Sequence, residues 1–278
     1  MREESADMNH SFSIRKFLAL TRGSVLDSLV FRASVLVTIF GNLIYLLIIY
    51  YLWKSIYASS PADVINGMTF SDTMVYLVLA SALFSFMNCY IVWGMGRDFQ
   101  TGQIVLDLLK PMDYQLFWFF STSGAYVISF FFTFLPTFLV VYLVTKGGFA
   151  LGMNLLFFVG SVILSVAINF SVDFFVGVIC FYTQSVWGVN IMKEVIVAFL
   201  SGATIPLAFF PEKIHTFVNW LPFQAIYNTP LQILIDDSLT GMDIQQMLLK
   251  QLLWAIFMIL LSRAFWLVSQ KVITVNGG

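Results

Sequence analysis

Apolar positions dominate this chain in long runs, and short polar interruptions separate them. Six runs reach the roughly 20 residues that a membrane-crossing helix needs: 32–53, 73–94, 115–144, 151–181, 190–210 and 247–269. The third and fourth exceed that length and are expected to tilt or project. Pro136 is placed to kink the third, and Pro206 to kink or end the fifth. No internal repeat is visible. The pattern predicts an all-α polytopic membrane protein with six transmembrane helices.

Three segments depart from the spanning pattern. Residues 12–30 are too charged to cross. Ile14, Phe17 and Leu18 share one helical face, and Arg15 and Arg22 lie elsewhere, as in an amphipathic helix on a lipid interface. A frayed basic tail is the plainer reading. Residues 211–234 form two pieces split by Pro222, each too short to span. Pro211 followed by Glu212 is a helix start. A pair of short re-entrant or surface helices fits better than one irregular loop, because bare backbone at membrane depth needs protein or water around it.

The third segment, "GRDFQTGQIVLDLLKPMD" (96–113), is rich in charge for this chain. On one helix over 97–111, Gln100, Gln103, Asp107 and Lys110 make a polar stripe. Ile104, Val105, Leu108 and Leu109 make an apolar stripe, and Phe99 and Leu106 lie together beside the polar one. Arg97 and Asp98 open that helix and Pro111 closes it. Such a mixed face suits a protein groove. A plain interfacial helix without a partner is the alternative.

Composition sharpens the class. Of 278 residues, 59% are hydrophobic and 10% charged, against about a quarter charged in soluble domains. The net charge of -1 says little, but the placement of cations says more. With the N-terminus inside, ten fall on inner segments: Arg2, Arg15, Lys16, Arg22, Arg32, Arg97, Lys110, Lys193, Arg263 and Lys271. Four fall outside: Lys54, Lys146, Lys213 and Lys250. That asymmetry predicts cytoplasmic termini. Trp53, Trp93, Trp118, Trp187, Trp220, Trp254 and Trp266 lie near expected span ends, as in an interfacial aromatic belt.

The candidate chemistry is sparse. Cys89 and Cys180, far apart in apolar runs, read as packing residues. There is no Gly-Lys dipeptide, hence no Walker-type phosphate loop, and no His-Glu-x-x-His or Gly-x-Ser-x-Gly. Neither His10 nor His215 lies in a span. No catalytic, cofactor-binding or metal residue is assigned, and no basic patch favours nucleic acid. The acidic, polar start "MREESADMNH" shows no cleavable signal peptide. Asp173 is the best intramembrane polar candidate, unless its span ends near 172 and leaves it at the inner interface. Lys193, Glu194 and Arg263 read as snorkelling interfacial residues.

The ordered pieces "FRASVLVTIFGNLIYLLIIYYLW", "GRDFQTGQIVLDLLKP", "SGATIPLAFFPEKIHTFVNWLPFQAIYNTPLQIL" and "LLKQLLWAIF" together resemble the ABC type-2 export permease family over nearly the whole chain. The resemblance implies an interface helix at 12–30 and a coupling helix at 97–111 that docks on a separate cytoplasmic ATPase. It also implies paired outer re-entrant helices at 211–234, with Pro206, Pro211, Trp220 and Pro222 at an outer gate. ATP and magnesium would sit on the partner, none on this chain. A second permease, identical or related, would complete the path in a bacterial plasma membrane. The implied function is the membrane subunit of an exporter for an amphiphilic or hydrophobic compound: a drug, a peptide antibiotic or a lipid-linked molecule. An ATP-independent carrier using Asp173 and a non-transporting immunity or assembly protein remain alternatives.

Overall fold

A computed structural model describes residues 14–30, 32–145, 152–183, 185–236 and 238–271. Residues 12–13 of the expected interface helix, residue 151 and the cations Arg2 and Lys146 lie outside them. The chain is helical almost throughout: α1 (Ile14–Val30), α2 (Arg32–Ser59), α3 (Phe70–Met87), α4 (Ile91–Gln100), α5 (Ile104–Leu108), α6 (Tyr114–Ser129), α7 (Leu135–Val144), α8 (Met153–Thr183), α9 (Val186–Leu200), α10 (Glu212–Asn219), α11 (Gln224–Ile235) and α12 (Gly241–Ser269). A minimal hairpin, β1 (Val64–Ile65) and β2 (Met68–Thr69), turns through Asn66–Gly67. Both turn residues have positive φ (48° and 82°), the geometry for which Asn-Gly is suited.

Five helical stretches are long and apolar enough to cross a membrane: Ile39–Ser59, Phe70–Gln100, Tyr114–Val144, Met153–Thr183 and Gly241–Ser269. The expected span at 190–210 is different. α9 has 15 residues and stops at Leu200, well before Pro206. Gly202 (φ +80°) follows the Ser201 cap, and Thr204 N–H donates to the Ala198 carbonyl. That is how a left-handed glycine ends a helix. The rest of 190–210 is a loop closed by a 3₁₀ turn, Leu207–Phe209. Six full-length helices are therefore not what the structure describes.

α6 and α7 form one rod with a π-helical joint at Phe130–Phe134. Pro136 lacks an N–H, and the wider turn absorbs the missing bond: Leu135 N–H donates to the Phe130 carbonyl.

The core lies where α8, α11 and α12 meet, with α3 beside them. α11 is buried along nearly its whole length, so it is an internal helix rather than a surface one. Gln251 of α12, 1% exposed, ties the three together. Its Nε2 donates to the Ser161 carbonyl (3.0 Å), Ser165 Oγ (2.9 Å) and the Ala225 carbonyl (2.8 Å), and its Oε1 accepts from Ser161 Oγ (2.8 Å). Without water, such buried polar groups need internal partners. At one end of the bundle, Asp113, which caps α6, pairs with Arg263 of α12 at 3.0 Å. Arg263 is thus held by an ion pair while its side chain stays 45% exposed.

α1 packs lengthwise on α6. Phe17 meets Phe120 (ring centroids 4.6 Å), and Thr21 Oγ1 and Ser123 Oγ share a 2.8 Å hydrogen bond. A Cβ on Gly124 would run into the Ser24–Val25 backbone. Phe17 and Leu18 do not share a common surface: Phe17 packs on protein and Leu18 is exposed. α2 is the least covered span. Trp53 against Phe209 (4.5 Å) and the Tyr57 hydroxyl, bonded to Met68 O and Thr73, hold one end of it.

Three tryptophans correct the belt reading. Trp53, Trp118 and Trp266 are buried; Trp266 stacks on Tyr114 at 4.4 Å. Long spans extend past the hydrocarbon layer, so a residue near a span end can still be inside the protein. Trp93, Trp187 and Trp220 are exposed.

Candidate functional site

The segment 97–111 is not one helix. α4 continues the α3 direction after a break at Asn88–Tyr90 and carries Arg97, Asp98, Phe99 and Gln100 as its last turn. The chain then turns at Thr101–Gln103, where Gly102 has φ +75°, and α5 follows. This elbow undoes the shared faces expected of a continuous helix. Phe99 points into the bundle and stacks on Phe181 at 4.9 Å. Leu106 is exposed, so the two part company. Asp107 is 6% exposed and turned inward, paired with Lys110 at 2.7 Å. Lys110 Nζ also sits 3.9 Å above the Phe117 ring. The apolar stripe divides too: Ile104 is buried, while Val105, Leu108 and Leu109 face outward. Arg97, Gln100 and Gln103 are exposed, with Arg97 4.0 Å from a largely covered Asp98.

Asp173 is buried among the helices. α8 runs ten residues beyond it to Thr183, about 15 Å at 1.5 Å per residue. The carboxylate is 1% exposed and forms an ion pair with Lys193 of α9 at 2.9 Å. Asn169 Nδ2 donates to Asp173 Oδ2 (3.2 Å) and to the Met87 carbonyl (3.0 Å). Asn190 Nδ2 donates to Glu194 Oε1 (2.7 Å), one turn along α9 from Lys193. Lys193 is therefore tied to a buried carboxylate, and Glu194 beside it is half-buried. Their sequence distance from the start of α9 had pointed to the interface.

Next to this cluster opens a cavity of about 710 Å³. Its walls are α1, α2, α3, α6 and α9, and its lining is rich in hydroxyl and amide groups: Ser24, Ser28, Asn42, Ser81, Ser85, Asn88, Ser121, Thr122, Ser129, Thr133 and Thr204. The smaller Asp173–Lys193–Glu194 pocket shares Phe84 and Asn88 with it. The Ser121 hydroxyl is buried without a partner among the described residues. The lining was missed from the sequence, although a signal existed. Ser81, Ser85 and Asn88 recur at helical spacing, as do Ser121, Ala125, Ser129 and Thr133. The far side of the α6–α7 rod is different: a cavity of about 480 Å³ lined only by apolar side chains, among them Phe119, Phe130, Phe134 and Phe158.

The proline and tryptophan positions gather elsewhere. Pro206 precedes the 3₁₀ turn, Pro211 caps α10, and Pro222 lies in the turn before α11. Trp220 is exposed, with Lys250 Nζ 5.8 Å from its ring centre. Ile214 and Phe217 of α10 are also exposed. Among the described residues, no cluster of three metal-ligating side chains occurs.

Five of the chain's helical stretches are long and apolar enough to cross a membrane, and a cavity with many hydroxyl groups opens among them. The chain belongs to the ABC-2 family of transporter proteins, whose family model matches residues 43–277. It is a membrane-spanning permease of that family. The comparison with curated proteins returned no match.

Proposed function

We propose that this chain is the permease subunit of an ATP-driven exporter in a bacterial plasma membrane, with cytoplasmic termini. Its guest would be an amphiphilic or hydrophobic compound. The observation that carries this reading is the 710 Å³ polar-lined cavity bounded by spans of an ABC-2 family chain. A cavity of this size suits a small molecule. ATP and magnesium bind a separate cytoplasmic ATPase, because this chain has no phosphate loop. A second permease, identical or related, faces this one.

The α4–α5 elbow is the coupling element in this reading. Arg97, Gln100, Gln103, Leu106 and Lys110, together with Leu109, offer the docking surface; Asp98 lies largely covered beside Arg97, and Phe99 and Asp107 hold the elbow to the bundle from within. ATP binding by the partner would favour one of two permease states through differential contact with this elbow. Pro206, Pro211, Trp220 and Pro222 form the outer gate.

Proteoliposomes holding this chain and its ATPase test the reading. Vectorial transport that requires ATP is expected. Transport by this chain alone, driven by a proton gradient and abolished in Asp173→Asn, would replace it with the carrier reading. Guest binding without movement, with ATP and all partners present, would replace it with the non-transporting one.

A further inference from the structure

The α6–α7 rod and α8 run side by side without packing closely. Two ring pairs bridge them, Phe119 with Phe170 at 5.1 Å and Phe134 with Phe158 at 5.9 Å. The helices themselves come close almost nowhere. The cleft between them is the apolar cavity of about 480 Å³. Phe86 of α3 closes its floor, in ring contact with Phe130 (5.8 Å) and Phe134 (6.2 Å). Along α8 the lining recurs at helical spacing, from Leu155 through Phe158, Val162 and Val166 to Ala167. That stretch is about 18 Å long at 1.5 Å per residue.

The cleft opens sideways. Val159 and Ile163 line it and are exposed. They continue into an exposed apolar surface, Leu156 on α8 and Leu139, Val140 and Leu143 on α7. The rod and α8 are both long and apolar enough to cross a membrane, so in a bilayer these lips meet hydrocarbon. Water does not suit the space, because it needs two to four polar partners. Among the described residues, every lining side chain is apolar. A helix from a second copy is about 10–12 Å across. It would rest on the lips and leave the buried Phe86 and Phe134 below uncovered. An empty cleft would forfeit dispersion contact along its whole lining. A hydrocarbon chain is narrow enough to enter and reach the floor. The length agrees as well, since one leaflet's share of a 30 Å hydrocarbon core is about 15 Å.

We propose that this cleft binds one acyl chain of a membrane phospholipid. The chain lies along α8, with its head group at the Leu155 and Phe138 end, near where α8 begins and α7 stops. The site is separate from the polar cavity, and the π-helical joint divides the two. Phe132 and Thr133 line the polar cavity, and Phe130 and Phe134 line the cleft.

The test uses the purified full chain in vesicles of phosphatidylethanolamine that carries a photoreactive diazirine midway along one acyl chain. After irradiation, labelled peptides are mapped. Label should concentrate on 130–138 and 155–167, several-fold above the exposed α12 face at Leu252, Leu253 and Ile256, which serves as the bulk-lipid reference. Val162→Trp fills the cleft. It should bring labelling of 130–138 down to the α12 level and leave α12 labelling unchanged. Equal labelling of the two faces in the unaltered chain would overturn the proposal, as would undiminished labelling of 130–138 in a folded Val162→Trp. Efficient disulfide cross-linking between copies of Ile163→Cys in the same vesicles would also overturn it, by putting a second chain over the cleft. Should Val162→Trp not fold, the comparison of faces on the unaltered chain decides alone. No ATPase enters these measurements, so the site stands or falls independently of the exporter reading.

Discussion

Asp173 and Gln251 are both 1% exposed, and they differ in what their removal should do. Gln251 is neutral, and Gln251→Leu takes the acceptor from the Ser161 hydroxyl and one donor each from Ser165 Oγ and the Ser161 and Ala225 carbonyls; the two carbonyls keep Ser165 Oγ as a neighbour. Hydrogen bonds inside membrane bundles contribute roughly 0.6 kcal/mol each, up to about 1.7. A loss on the order of 1–3 kcal/mol is expected, read as a lower midpoint in denaturant titration of the purified protein. Lys193→Met instead strands a buried carboxylate, a change of about 3–5 kcal/mol in comparable pairs. Adding Asp173→Asn should restore much of it, because the orphaned charge goes with the partner. A double variant no better than Lys193→Met would show that Lys193 matters through packing. The sequence marked Asp173 as a candidate but left its depth open, because depth depends on where α8 ends. No local signal near "INFSVDFFVG" fixes an end ten residues later at Thr183. Its partner was less legible still, since Lys193 reads equally well as a snorkelling residue.

At the scale of elements, hydropathy runs were reliable and helix continuity was not. The α6–α7 rod, α8 and the end of α12 lie close to their expected bounds, because each is a long run with polar edges. α9 and the 97–111 segment failed at glycines. Gly102 and Gly202 adopt positive φ, which an apolarity count does not register. Asn66–Gly67 was a legible hairpin signal of the same kind. The elbow has consequences for docking. Leu106→Asp with Leu109→Asp alters two exposed side chains. It should abolish co-purification of the ATPase and leave the thermal midpoint of the permease nearly unchanged. Phe99→Ala removes a ring stacked on Phe181 and should do the reverse, lowering the midpoint while the isolated complex persists. Gly102→Ala strains the turn, at about 1 kcal/mol or more, and should reduce ATPase coupling more than stability. If Phe99→Ala alone dissociated the complex from a stable permease, the inward placement of that ring would be wrong.

The whole molecule divides by how tightly its parts are held. α8, α11, α12 and α3 are joined through Gln251 and a buried apolar core. α1 lies outside that core, α2 joins it through Ile49 and Trp53, and both line the cavity. α2 can expose apolar surface without penalty, since lipid is as apolar as leucine. α1 is held mainly by its close approach to α6 at Gly124. There the obstacle to a larger residue is the Ser24–Val25 backbone rather than a movable side chain. Gly124→Val must therefore push α1 off α6 and carry Asp27, Ser24 and Ser28 away from the cavity. The Gln251 network and the core it ties together do not depend on that contact. The expected result is a protein whose main unfolding midpoint changes little, while trypsin cuts faster at Arg15, Lys16 and Arg22. Cleavage at the level of the unaltered chain would mean that α1 is not held by this contact.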